Sequence, residues 1–530
     1  MLSRRDFVAA SAALLPAAPF VHARRADFDL VIRGGSVHDG LGSAARAVDV
    51  GVRSGRIAAL APSLGRGTRE VEARGLVVAP GFVDIHSHGD GSLESDPRAE
   101  SVIRQGITTI VAGQDGGSRL EVGDYFAKLE TIRPAVNVAT MVGLGTVRGG
   151  VVGADDRPAT PDELARMVQL VERALAGGAC GASSGLEYTP GAFASPDELV
   201  ALARPLATRG LVYASHMRNE DDRLLDAIRE TIAVGERAGC GVQISHLKTQ
   251  GPRNWGVLDE VFTTIEAAER RGVRIAFDRY PYLAYQTGLT NLFPVWSRDG
   301  GTDAFLARLE DSTTAARIRE ATLAKVELIG GWDNVQVTSV REAQDSDVEG
   351  KRLGTWAAAR NEDPYEAAVG LITRNRGSVG MVGFAMSEAN LERILAHRLG
   401  MVCSDGGAFA IDGPTRRGAP HPRGIGSFPR VLGRYVRERG TLSLASAIHK
   451  MSGLPASRLR LDRGRIAVGA PADIVVLDAA TVNDRATYDD PFRYPVGIVA
   501  VAVNGVLALE HGERTADRAG VPVRPVSPEG

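Results

Sequence analysis

Cysteine is almost missing from this chain of 530 residues. The three present, Cys180, Cys240 and Cys403, are odd in number and sit inside apolar runs. That argues against a disulfide framework and for buried thiols, because free cysteine is among the most buried residue types. Lysine is scarce as well: within 62 basic residues, lysine occurs at 128, 248, 325, 351 and 450 alone. Chemistry that needs an amine therefore has few places to reside. Net charge is also nearly absent, at −2 from 62 basic and 64 acidic residues. A chain with neither a basic footprint nor an acidic excess is not built for nucleic acid or for disorder, and points to small-molecule partners. Long apolar runs are lacking too, and the most suggestive, Val8 to Val21, is too short and too weakly apolar for a stable membrane span. What is plentiful is hydrophobic material, 44% of residues, enough for one large core and a smaller satellite.

The N-terminus has its own grammar. Ser3-Arg4-Arg5-Asp6-Phe7 precedes the Ala-rich run, and Val21-His22-Ala23 offers small residues where a signal peptidase reads. Residues 1–23 thus read as a twin-arginine export signal, which predicts a periplasmic or secreted mature chain beginning near Arg24. Residues 27–78 then alternate as short β segments punctuated by glycine, and similar segments return over 462–512. Both chain ends are expected to build one small β domain, a β-sandwich. Between them, over 79–461, strand-like runs alternate with helical ones, the signature of a parallel sheet. Eight strands end near His88, Ala112, Gly145, Tyr188, His216, His246, Tyr280 and Ser404. With no nucleotide-binding glycine fingerprint after the first, this α/β pattern predicts a closed (β/α)8 barrel of the TIM type. The periodicity loosens around 292–379, which reads as an insertion able to cover the barrel mouth. Two helix starts are legible in Thr160-Pro161-Asp162-Glu163 and Ser195-Pro196-Asp197-Glu198, each a capping hydroxyl, a first-turn proline and a glutamate three residues on.

Chemistry gathers at the predicted strand ends. His86-Ser87-His88 closes the first strand, and a side-chain period of two points both imidazoles to one face. Two later strands end in Ser-His, at His216 and His246, and the last ends in Ser404-Asp405. One histidine at a strand end is ordinarily a satisfied core residue. Four strand ends aiming a His pair, His, His and Asp at the C-terminal rim make a divalent-cation site, because barrel enzymes keep their reacting groups there. Imidazole and carboxylate donors suit Zn2+ best, with Mn2+ or Fe2+ as alternatives. Asp405, the carboxylate among these donors, is the expected general base and acid, exchanging a proton with a cation-activated water.

Pro80-Gly81-Phe82-Val83-Asp84-Ile85-His86-Ser87-His88 resembles the opening motif of the amidohydrolase superfamily. Gly185-Leu186-Glu187-Tyr188-Thr189-Pro190, the run Ser404-Asp405-Gly406 through His421-Pro422-Arg423, and Ala447-Ile448-His449-Lys450-Met451-Ser452-Gly453 resemble the N-acyl-D-amino-acid deacylases, over roughly Asp27 to Asp478. The resemblance implies zinc-dependent hydrolysis of an N-acyl-D-amino acid to a carboxylate and a free D-amino acid. It also implies that Lys248, Tyr282 and Arg423 clamp the substrate carboxylate. There is one departure: the best-known members carry a cysteine ligand after the second strand in a T-G-N-C-G setting, where this chain has Ala112-Gly113-Gln114-Asp115-Gly116, and an apolar residue where it has Glu187. No lysine stands at the end of strand three or four to supply a carboxylated bridge. The expected arrangement is therefore two metals, one on His86, His88 and Asp405, the other on His216 and His246, with Glu187 bridging. Asp115 is left as an outer partner or an alternative ligand. The competing readings are a cyclic amide or dipeptide hydrolase resembling dihydroorotase, hydantoinase or isoaspartyl dipeptidase, and a metal-binding barrel without catalysis. Oligomeric state is not legible.

Overall fold

The computed structural model describes residues 26–527, so the segment read as an export signal lies outside the described residues. The alternating runs fold into eight parallel strands: β1 (Phe82–Asp84), β2 (Ile107–Ala112), β3 (Asn137–Thr140, continued by Val142–Gly143), β4 (Gly181–Gly185), β5 (Val212–His216), β6 (Gly241–Ile244), β7 (Ile275–Arg279) and β8 (Gly400–Val402). Hydrogen bonding runs β1-β2-β3 and onward through β4, β5, β6 and β7 to β8. Just beyond the strand ends, Asp405 N donates to His86 O at 2.8 Å and His88 N to Gly406 O at 2.9 Å, which ties β8 back to β1. Every residue of these strands is buried. Their largely uncharged, small-to-apolar character follows, since side chains fill the barrel inside while helices cover it outside.

Both legible caps form, but not identically. Glu163 N donates to Thr160 Oγ1 at 3.3 Å while Thr160 N donates to Glu163 Oε2 at 2.8 Å, opening helix Pro161–Ala176 with a reciprocal pair. At helix Pro196–Ala207, Glu198 N donates to Ser195 Oγ at 3.2 Å. The Glu198 carboxylate does not return to Ser195, because it is engaged by Arg148, and both side chains are almost fully buried. Removing one member of a buried pair strands the other charge, which typically costs about 3–5 kcal/mol. Glu198→Ala is expected to lower unfolding stability by about that amount, read as a lower denaturant midpoint at unchanged slope.

The small β domain draws on both chain ends as anticipated. Its nine strands are hydrogen-bonded in the order Glu513–Arg514, Val506–Glu510, Ile498–Val503, Ile474–Leu477, Val77–Pro80, Phe28–Val37, Arg46–Arg53 and Arg56–Ala61, with Gly67–Glu72 beside Phe28–Val37. The two ends meet where Val77–Pro80 pairs antiparallel with Ile474–Leu477. Leu30, Val50, Val78, Ile474, Val476 and Ala500 share its core. Asp473 accepts from Asn137 Nδ2 at 3.1 Å, at the start of β3, and Gly81 N donates to Asp473 O at 2.9 Å, just before β1. The domain thus abuts the N-terminal end of the barrel, leaving the opposite rim free.

The insertion reaches beyond 292–379. Ala284–Gly288 pairs antiparallel with Val379–Phe384, which pairs with Val335–Val340, so a three-stranded sheet opens and closes the excursion. A weakly alternating segment such as Ala284–Gly288 acquires its strand identity from its partners.

Candidate metal centre

A cavity of about 580 Å³ opens at the C-terminal rim, lined among others by His88, Asp115, Glu187, His216, His246 and Asp405. The imidazoles converge as the period-two and strand-end arguments require: His86 and His246 ring centroids lie 4.9 Å apart, those of His216 and His246 4.7 Å. His86 and His88 follow directly on β1, just past its last strand residue Asp84, and Asp405 N is held by His86 O, so the ends of the first and last strands present their donors together. Asp405 Oδ1 lies 3.1 Å from His88 Nε2 and 3.5 Å from His86 Nε2.

Asp115 takes the position that the sequence assigned to Glu187. Its Oδ1 lies 3.3 Å from His86 Nε2 and 3.5 Å from His246 Nε2, its Oδ2 3.4 Å from His88 Nε2 and 3.8 Å from His216 Nδ1. It belongs both to the group His86, His88, Asp115 and Asp405 and to the group Asp115, His216 and His246. Glu187 stands on the far side of His216, its Oε2 3.6 Å from Nε2, the nitrogen turned away from Asp115. The reason lies in the loop after β2. Gly113, Asp115 and Gly116 all adopt positive φ, 71°, 52° and 79°, which turns the chain back over the barrel mouth. The turn presses so closely on β4 that a Cβ at Gly185 would lie 2.1 Å from Asp115 O. His246 and Asp405 also sit at positive φ, 36° and 50°, so three of the converging donors hold uncommon backbone conformations, a feature that clusters at functional sites.

Electrostatics agree with a site suited to a cation. Burial by itself would raise the Asp115 carboxyl, but the surrounding imidazoles of His86, His246 and His216 hold it well below the ordinary carboxylate value. Burial likewise opposes the charge on Asp405, and Arg423 with His86 and His246 outweighs it. Conversely, burial favours neutral His88 and His216, yet the nearby carboxylates lift them to about 9 and about 10. Buried and without a hydrogen-bond partner are both ring nitrogens of His86, Asp115 Oδ1 and His216 Nε2. Orphaned donors and acceptors at one point are costly unless an ion or a ligand satisfies them. The all nitrogen and oxygen donor set fits a divalent cation of borderline hardness.

The clamp residues implied by the resemblance are distributed differently. Arg423 lines the cavity: its Nη1 donates to Asp405 Oδ2 at 2.6 Å and its guanidinium lies 4.7 Å over the Tyr280 ring, while its buried Nε has no partner. Arg423 N donates to His421 Nδ1 at 2.9 Å, which leaves Nε2–H of His421 to donate to Ala284 O. Lys248 also lines the cavity, its Nζ 2.6 Å from Glu220 Oε2 and 2.8 Å from His246 Nδ1. Tyr282 does not face the cavity: its hydroxyl donates to Asp484 Oδ2 at 3.2 Å. Tyr280 does, with a buried hydroxyl that has no partner.

Several site residues escaped the sequence argument. Glu220, four residues after His216, bonds Lys248 and lies 3.0 Å from His246 Nδ1. Asp278, an acid within the apolar run of β7, accepts from His246 N at 2.8 Å and lies 3.5 Å from His86 Nδ1. The spacing to His216 and the isolated acid in an apolar strand were the available signals. Asn291 and Lys325, which reach Glu187 from the insertion, carry none.

Residues 408–508 match the model of the amidohydrolase family. Over 501 residues, covering 90% of this chain and 93% of the relative, the sequence is 38% identical to an N-acyl-D-glutamate deacylase of Alcaligenes xylosoxydans xylosoxydans. Among solved structures, the N-acyl-D-glutamate deacylase of Bordetella bronchiseptica, complexed with zinc and a phosphonate mimic of the tetrahedral intermediate, superposes with a TM-score of 0.79 at 35% identity, covering 94% of this chain and 99% of that one. A D-aminoacylase described by its binuclear metal centre gives 0.80 at 34% identity, covering 94% and 100%. With its barrel, its small β domain and its cluster of strand-end donors, this chain belongs to the N-acyl-D-amino-acid deacylases of the amidohydrolase family.

Proposed function

We propose that the protein hydrolyses the amide bond of N-acyl-D-amino acids, releasing a carboxylate and the free D-amino acid, with zinc as its metal. The observation that carries this reading is the convergence of four imidazoles, Asp115 and Asp405, several of their polar atoms orphaned, at one cavity whose wall all of them but the buried His86 line. His86, His88 and Asp405 would hold one cation, His216 and His246 the other, and Asp115 would be shared between them. When bound, the metal supplies Lewis acidity toward the scissile carbonyl and toward a water molecule. Asp405 takes the proton of the attacking water and delivers it to the departing nitrogen. Its carboxylate is suited to this by position: one oxygen faces the imidazoles while Arg423 grips the other, fixing the direction of the free lone pairs.

Arg423 and Lys248, with the unpartnered Tyr280 hydroxyl, are the cationic and polar groups on the cavity wall that suit the substrate carboxylate. Because Arg423 also touches Asp405, Arg423→Met is expected to raise KM for N-acyl-D-amino acids by at least about tenfold and to lower kcat as well. Loss of a group that binds substrate alone would move KM and spare kcat. Steady-state kinetics at saturating zinc decide between the two.

The reading as a whole is tested by metal analysis of purified protein together with a panel of N-acyl-D- and N-acyl-L-amino acids and a hydantoin. Zinc-dependent turnover confined to the D series supports it. Absence of bound metal, or turnover of the hydantoin alone, would end it. The export signal over residues 1–23 leads us to infer a periplasmic or secreted protein, and Arg4→Lys/Arg5→Lys should leave it in the cytoplasm on fractionation.

A further inference from the structure

We propose that Glu187 is a positioning residue for His216, and that the insertion, through Lys325 and Asn291, holds Glu187 in place and so sets how tightly the centre binds its metal. This rests on the metal-centre reading above and deepens it.

The two nitrogens of the His216 ring face different surroundings. Nδ1 looks into the centre, 3.0 Å from His246 Nε2 and 3.8 Å from Asp115 Oδ2. Nε2 is buried and has no hydrogen-bond partner. The carboxylates grouped with it are Glu187 and Glu220. Glu220 binds Lys248 through one oxygen at 2.6 Å, and its other oxygen, itself without a hydrogen bond, lies toward His246 Nδ1 at 3.0 Å. Glu187 is the carboxylate nearer to Nε2, 3.6 Å away, a few tenths of an ångström beyond hydrogen-bond length. A carboxylate there favours the proton on Nε2, which leaves the Nδ1 lone pair free for a cation. Metal-ligating histidines are generally fixed in this way by a partner on the second nitrogen.

Glu187 in turn is held from the insertion. Asn291, in the turn Leu289–Leu292, donates to its Oε2 at 3.0 Å, and Lys325 Nζ, on helix Ser312–Leu328, lies 3.9 Å from its Oε1. Lys325 is anchored by an ion pair with the buried Asp221. Glu187, His216 and Glu220 also have the makings of a further cation site. The ammonium groups of Lys325 and Lys248 on their outer oxygens argue for a proton between Glu187 and His216 instead, since a third cation would meet two fixed positive charges.

The test uses the full-length protein and measures affinity rather than turnover. Zinc dissociation constants from chelator competition are compared for wild type, Glu187→Leu, Glu187→Gln, Lys325→Met and the Glu187→Leu/Lys325→Met pair, with the cobalt-substituted visible spectrum recorded for each. Loss of an outer partner typically weakens metal binding about 10–100-fold, and Glu187→Leu should do so. Glu187→Gln, whose amide oxygen still accepts, should recover most of the affinity and leave the cobalt spectrum unchanged. Lys325→Met, which alters no group in contact with His216, should shift affinity the same way by less, and add nothing in the double variant. Wild-type affinity in both Glu187→Leu and Lys325→Met would overturn the proposal. So would a cobalt spectrum altered in Glu187→Gln, which would make Glu187 a ligand, or a third zinc equivalent bound by wild type and lost in Glu187→Leu. If wild type itself bound no cation, the metal-centre reading would fail instead.

Discussion

Asp115→Asn is expected to abolish detectable turnover at trace zinc and to weaken cation binding by more than the about 100-fold that loss of an outer partner costs. The carboxylate stands within 3.8 Å of all four imidazoles, and no other carboxylate has that relation to them among the described residues. Replacing it with a neutral amide removes the carboxylate common to both donor groups, and two cations held there would repel one another with less compensation. Asparagine is the informative choice because it tolerates the left-handed backbone at φ 52°, so a loss of binding reports charge and not a collapsed loop. Asp115→Cys is the companion experiment. A thiolate is softer than a carboxylate and should shift preference toward zinc over manganese, although cysteine fits that backbone less readily. Competition titrations with zinc and manganese read both effects. Unchanged zinc affinity in Asp115→Asn would transfer the bridging role back to Glu187.

Asp405→Asn should lower kcat by about 10²–10⁴-fold, the usual worth of a positioned proton shuttle, while KM moves by only a few-fold. The amide preserves the acceptor that Arg423 Nη1 reaches and suits the φ of 50°, and the main-chain bond to His86 O is untouched. What disappears is the capacity to take a proton. Because Arg423, His86 and His246 hold this carboxyl below the ordinary carboxylate range, the acidic limb it contributes to the pH–rate profile should lie below about pH 4 in the wild type and be absent from the variant. Kinetics at saturating zinc, with metal content measured in parallel, separate this from simple loss of a ligand. An equal rise in KM, or a metal-free variant, would assign Asp405 a binding role only.

Much of this molecule can be read along the chain. Apolar runs ending in His-Ser-His, Ser-His and Ser-Asp place their last side chains at one rim, because a parallel barrel gathers all C-terminal strand ends on the same side. Periodicity of two decides which face each side chain takes, and capping chemistry marks where helices begin. Local pattern stops short wherever a side chain's position depends on a loop or on a distant partner. Tyr282 and Tyr280 are indistinguishable in Tyr-Pro-Tyr, yet Tyr282 bonds Asp484 through its hydroxyl away from the cavity, and Tyr280 lines it with a hydroxyl left unpartnered. Glu198 has the spacing of a capping partner, and Arg148, distant in sequence, claims it.

Strand pattern, cap residues and the identity of the converging imidazoles were therefore settled by local chemistry, which acts over a few residues and leaves its mark in their order. The central place of Asp115 among the four imidazoles, the withdrawal of Glu187 behind His216 and the reach of Lys325 from the insertion were settled by folding alone. Each depends on the direction in which a turn of positive φ or a remote helix carries a side chain, and that direction is set by contacts between segments far apart in the chain.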